Sequence, residues 1–270
     1  MSNIDALLIT PPSRLEVYQG LANDYAAIEP PVWSSLIANF LIKKGFTAEI
    51  LDAEAENLTH EKTAEKISQK NPKLAIFMVY GQQPSASTQC MPGGKKTCIK
   101  LNEITSNEIK SIVIGTHASA LPKKTLEEEP YTYVCQGEGP LTVIELISFL
   151  KGKTKDLKKI PGLWYFDKDK NVCSNPSAKM FEDLDQNLPG QAWKLLDMKK
   201  YKAHNWHTFG RLNTIKSYAS LQTSLGCPFK CTFCCINAPF ERNTIRFWSP
   251  KHIIEQIKIL VEDYKITNIK

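Results

Sequence analysis

No stretch of this chain approaches the roughly 18 uncharged apolar residues that a membrane helix needs, so no membrane span is expected. The opening MSNIDALLITPPSR lacks the basic segment, apolar core and small-residue cleavage site of a secretory leader. A long basic block is also missing, as is any aromatic stripe interleaved with lysines. The excess of 34 basic over 28 acidic residues is spread in short pairs such as KKG, GGKK and LPKK. Such pairs read as solvated faces, and no nucleic-acid partner is expected. The expectation is a cytoplasmic protein, in which cysteines read as thiols, metal ligands or redox groups before they read as a disulfide frame.

What is present begins with an alternation of two periods over the first 150 residues. IDALLIT (4–10) is an apolar run ended by Pro11 and Pro12, the pattern of a buried strand and its loop. PVWSSLIANFLIKKG follows with Trp33, Leu36, Ile37, Phe40 and Leu41 at helical spacing, Pro31 near the start and Gly45 past the end. Further strands are predicted at 47–53, 73–81, 111–116 and 131–137, with helices near 61–70 and over 140–152; residues 82–110 are poorly patterned. Five strands alternating with helices predict an α/β fold, a doubly wound, flavodoxin-like or Rossmann-like parallel sheet over residues 1–152. Ligands of such sheets bind beyond the carboxyl ends of the strands, which points to loops 10–29, 81–94, 116–122 and 137–140.

Residues 153–216 change character. A charged link leads into IPGLWYFDKDKNVCSNP, a hairpin pattern, and then into a Pro-, Gly- and aromatic-rich stretch read as a connector with little core. A third segment, 217–270, opens with an apolar strand over 217–226. Its helix is predicted within SPKHIIEQIKILVEDY, with Ser249 as cap, Pro250 in the first turn and a stripe from Ile253 to Tyr264. ITNIK reads as the opening of another strand.

Between that strand and that helix lies TSLGCPFKCTFCC, with four of the chain's eight cysteines in nine residues. Cys227, Cys231 and Cys234 form CxxxCxxC, and three thiolates on one short loop can reach three corners of a cubane iron-sulfur cluster, leaving one iron open. Structural zinc favours two ligand pairs across a longer spacer, whereas Cys235 adjoins Cys234, so one zinc held by all four is disfavoured. Buried structural cysteines are the remaining alternative.

GCPFKCTFC resembles the cluster loop of radical S-adenosylmethionine enzymes. The resemblance implies a 4Fe-4S cluster on Cys227, Cys231 and Cys234, with S-adenosylmethionine chelating the open iron and Phe233 near its adenine. It also implies a small-molecule substrate and an electron donor such as flavodoxin or ferredoxin. PPVWSSLIANFLIKKGFTAEILDAEA, GTHASALPKKTLEEEP, VCQGEGPLT, IPGLWYF and LPGQAWKLLDMKKY together resemble the subfamily in which a cobalamin-binding domain precedes a radical (β/α) barrel. The implied chemistry is most often methyl transfer to an unactivated carbon or phosphorus, and in some members ring closure. Thr10, Ser85, Gly115, His117, Gly137, Glu138 and Gly139 lie on the loops that would meet cobalamin.

The usual DxHxxG after the first strand is replaced by TPPSR, so His117 is not expected to ligate cobalt. His204 and His207 form a lone HxxH read as surface histidines. A methylthiotransferase-like enzyme is the alternative within the superfamily, although LLITPPS lacks the cysteine that its second cluster would use. A third alternative is a non-catalytic cobalamin-binding fragment, because a full barrel takes roughly 200 residues and only 217–270 are available here; the chain is expected to end early in the barrel.

Overall fold

Strands buried on both faces form within the five apolar runs of the first 150 residues. The computed structural model describes residues 4–22, 26–80, 86–203 and 217–270. β1 (Ala6–Thr10), β2 (Ala48–Asp52), β3 (Leu74–Met78), β4 (Ser111–Ile114) and β5 (Tyr133–Cys135) are parallel, in the order β2-β1-β3-β4-β5. Successive side chains point to opposite faces. Ala6, Leu8, Ile76, Ile112 and Ile114 therefore share one core, and Leu7, Ile9, Ala75, Phe77 and Val113 another.

The helices follow in chain order: α1 (Arg14–Tyr18), α2 (Val32–Lys43), α3 (His60–Lys70), α4 (Ala86–Thr105), α5 (Thr116–Ala120), α6 (Pro122–Glu128) and α7 (Pro140–Leu150). α2 and α7 cover the first core; α3 and α4 cover the second. None of the helices among the described residues is long and apolar enough to cross a membrane.

α4 corrects the reading of 82–110 as poorly patterned: it is a 20-residue helix with Pro92 inside it. MPGG breaks the apolar period, yet Met91, Cys98 and Leu101 are buried against the sheet. Gly93 and Gly94 let the helix approach closely, since a Cβ there would run into the Pro12 carbonyl and the Tyr131 hydroxyl. Tertiary packing overrides the weak local signal.

The hairpin expected in the connector is β6 (Leu163–Phe166) and β7 (Val172–Ser174), and it extends the sheet antiparallel from β5 to seven strands. After it come α8 (Leu184–Asn187) and a run of turns that bury Leu184, Leu188, Trp193 and Met198. This stretch therefore carries more core than its composition suggested.

The single strand expected over 217–226 is two short strands with different partners. β8 (Tyr218–Ala219) pairs in parallel with β11 (Asn268–Ile269), while β9 (Ser224–Gly226) forms an antiparallel hairpin with β10 (Ile245–Phe247). Residues 220–223 separate β8 from β9, and the cysteine loop lies in the connection from β9 to β10. α9 (Pro250–Glu262) connects β10 to β11 and begins as predicted: the Ser249 hydroxyl accepts from the His252 N–H at 3.2 Å. Leu225, Phe240 and Trp248 from this segment join the same core as α2 and α7.

Candidate functional site

A cavity of about 510 Å³ opens at the carboxyl ends of the parallel strands. Thr10 ends β1, Asp52 ends β2, and Met78 and Tyr80 carry β3 out of the sheet; these form its floor, with α1 and the start of α2 beside them. The opposite wall comes from the C-terminal segment, through Leu221, Leu225 and Gly226 before the cysteine loop and Ile236, Pro239 and Phe240 after it. The size lies within the range of small-molecule and cofactor sites.

The lining is aromatic with polar points. Trp33 of α2 stacks on Tyr80 at 4.9 Å between centroids and 12° between planes, and lies 6.3 Å from Phe240. Helical periodicity had assigned Trp33 to the core; its ring is also cavity wall. Thr10 Oγ1, Ser34 Oγ and the Tyr80 hydroxyl are buried without a hydrogen-bond partner among the described residues. Buried polar groups are normally paired. Flat aromatic surface with unpaired hydroxyls fits a large planar ligand with a polar rim.

Three acidic groups surround the floor. Asp52, in register with Thr10, accepts from the Tyr201 hydroxyl at 3.1 Å and the Ala55 N–H at 3.2 Å, and burial pushes its carboxyl up to about 7. Glu54 accepts from the Ser13 N–H and hydroxyl and pairs with Arg14 Nε at 3.5 Å, fixing the chain where it leaves β1. Glu29 accepts from the hydroxyls of Tyr218 and Ser220 and pairs with Lys270 at 2.8 Å, tying the rim to β8 and β11.

The loop residues singled out in the sequence are not all brought together. Thr10 lines the cavity. Gly115 is packed against the Val79 carbonyl, where a Cβ would not fit, and it is the following Thr116 that reaches the cavity. His117 lies outside the lining: its N–H donates to Ser87 Oγ at 3.0 Å, its Nδ1 is 3.0 Å from Thr88 Oγ1, and burial pushes its pKa down. Gly137 and Gly139 have φ of +125° and +102°, and Gly139 caps α7. Glu138 between them is paired with Arg246. Ser85, His204 and His207 lie outside the described residues.

The cysteine loop leaves β9 through Gly226, whose φ of +91° lies in the left-handed region. Asn237 closes its base: Oδ1 accepts from the Cys227 N–H at 2.9 Å, while Nδ2 donates to the Cys227 carbonyl at 2.8 Å and to Asn243 Oδ1 at 2.8 Å. No spacing rule in the sequence identified this residue. Cys231 and Cys234 are exposed, Cys227 and Cys235 are half-buried, and Phe233 is 92% exposed. Among the described residues no three His, Cys, Asp or Glu side chains are gathered as a metal site. The donor set, three thiols on one accessible loop with a braced base, nevertheless fits a cluster that gathers its own ligands. Cys98 and Cys135, by contrast, are buried and pushed up to about 12, which suits inert thiols.

Residues 18–147 match the B12 binding domain family. The chain as a whole is similar to cobalamin-dependent radical S-adenosylmethionine proteins. An uncharacterized methyltransferase of Pyrococcus horikoshii is 28% identical over 100% of this chain and 53% of its own length. An anaerobic magnesium-protoporphyrin IX monomethyl ester cyclase of Synechocystis sp. is 30% identical over 76% of this chain and 38% of the cyclase. The solved structure of the cobalamin-dependent S-adenosylmethionine radical enzyme OxsB, with aqua-cobalamin and S-adenosylmethionine bound, covers 98% of this chain and 34% of its own, with a TM-score of 0.68 at 16% identity. That likeness shows a shared fold. The chain spans about half the length, or less, of the curated relatives it matches.

Proposed function

We propose that this chain is the cofactor-holding part of a cytoplasmic, cobalamin-dependent radical S-adenosylmethionine enzyme that transfers a methyl group to an unactivated centre of a small molecule. One observation carries the reading: the cavity at the strand ends of the B12-binding half is closed by the two segments from which the cysteine loop springs. A ligand in the cavity and a cluster on the loop would thus be neighbours.

In this reading Cys227, Cys231 and Cys234 hold a 4Fe-4S cluster, and Phe233 lies beside the adenine of S-adenosylmethionine. Thr10, Ser34 and Tyr80 present hydroxyls to cobalamin, and Trp33 and Phe240 keep water from its face. When bound, the cluster and S-adenosylmethionine supply one-electron cleavage to a 5'-deoxyadenosyl radical, and cobalamin supplies a methyl carrier. The chain's own residues bind, orient and exclude water. Electrons come from a donor of the flavodoxin or ferredoxin kind. Methyl transfer follows the name of the Pyrococcus relative; ring closure, in the name of the Synechocystis relative, is the chemistry that the same cofactors would serve on another substrate.

Anaerobic reconstitution with iron and sulfide tests the proposal. The expected result is about four irons per chain, a paramagnetic spectrum altered by S-adenosylmethionine, and loss of both in Cys231→Ala. About twice that iron would indicate the two-cluster methylthiotransferase type. Cobalamin binding without any cluster would reduce the chain to a non-catalytic cobalamin carrier.

A further inference from the structure

Within this reading the cysteine loop must be held at one place over the cavity, and we infer that the buried Glu138–Arg246 ion pair is the positioning element that holds it there. Glu138 stands at the end of β5 between two glycines in the left-handed region. That turn is seated on the core, because a Cβ at Gly139 would meet Ile114 and Ile37. Arg246 is the middle residue of β10 and lies opposite Leu225 of β9, two residues before Cys227. The pair therefore joins the rim of the α/β sheet to the base of the cysteine loop across 108 residues of chain.

The contact is directional on every side. Arg246 Nη1 donates to Glu138 Oε2 at 3.2 Å and to the Phe181 carbonyl at 2.7 Å, while Nη2 donates to Glu138 Oε1. The guanidinium carbon sits 5.4 Å over the Phe240 ring, and Phe240 is cavity wall. Side-chain exposures of 5% and 7% make this the most buried ion pair among the described residues. The other ion pairs that reach the C-terminal segment, Arg242–Glu182 and Lys270–Glu29, face solvent on at least one side. A buried pair is weak evidence for stability, since desolvation offsets its attraction; one use of such pairs is to select one register over others. Here that register places Gly226, from which the cysteine loop departs, and Phe240 against the cavity.

Glu138→Leu with Arg246→Met removes both charges without stranding either, and Glu138→Gln is the milder variant should the double one misfold. The first measurement is hydrogen exchange of the unloaded full chain. Peptides covering β9, β10 and residues 28–34 of the cavity rim are expected to exchange about tenfold faster, with β3 and β4 unchanged. Wild-type rates in those peptides, or an equal acceleration everywhere, would overturn the inference. The second measurement loads the chain with cobalamin and the cluster and reads how strongly the reduced cluster speeds the spin relaxation of cob(II)alamin. Full loading with a weakened enhancement supports positioning; full loading with the wild-type enhancement overturns it. If the wild-type chain loads neither group, the proposed function fails, and the exchange result still decides the role of the pair.

Discussion

Asp52 shows how much one residue's surroundings can alter its chemistry. It is 6% exposed, and its folded pKa of about 7 lies above the ordinary carboxylate value because burial penalises the ionised form more than Tyr201 and Ala55 favour it. A carboxyl with a raised folded pKa lowers stability as pH rises from about 4 through 7, by at most about 1.4 kcal/mol per pH unit. Above 7 the penalty is constant. Asp52→Asn removes it, so the variant should gain about 2–3 kcal/mol over wild type between pH 5 and pH 8. Urea midpoints at the two pH values measure this, and a pH-independent difference would contradict the assignment. Nothing in the sequence marked Asp52: its neighbour Tyr201 is 149 residues away. The three cysteines, in contrast, were legible because CxxxCxxC is a local spacing. Glu138 lies between the two extremes. The sequence placed it with Gly137 and Gly139 on the loop after the fifth strand, and the structure has a turn of positive φ there, but the carboxylate's engagement with Arg246 depends on a strand that the sequence did not reveal.

At the scale of elements, the signals that worked were those whose physical cause lies within a turn or two. The Ser249 cap and Pro250 begin α9 where predicted, and the five parallel strands fall within the ranges predicted for them. α4 escaped because its stability comes from packing on Pro12 and Tyr131, which glycines permit and propensity disfavours. The β9–β10 hairpin escaped because each strand has only three residues. Its weak point is Gly226, where a side chain would meet the Thr244 carbonyl at a φ of +91°. Gly226→Ala should cost more than about 1 kcal/mol, confined to the hairpin. Iron uptake should fall while the far-ultraviolet circular dichroism of the α/β sheet is retained; undiminished uptake would show that the loop tolerates a displaced base.

At the scale of the whole molecule, one core runs from α2 and α7 into Leu225, Phe240 and Trp248, so the C-terminal segment is packed as part of the body that bears the cavity. Binding in such a cavity should stabilise both parts together. Under the proposed function, cobalamin at 100 times its Kd should add about 2.7 kcal/mol by mass action, read as a rise in Tm. Trp33→Ala, which opens the aromatic wall, should shrink that rise. A Tm indifferent to cobalamin would mean that the cavity serves another ligand.

The five parallel strands, the helices α2, α3 and α7, the capped last helix and the thiol loop were legible in the sequence alone, because periodicity, capping and ligand spacing act between residues about ten apart or fewer. The cavity, the Asp52–Tyr201 contact and the Glu138–Arg246 pair were decided only by the tertiary structure. Each joins groups more than 100 residues apart, and whether such groups meet depends on how the sheet, the connector and the final segment pack around a shared core.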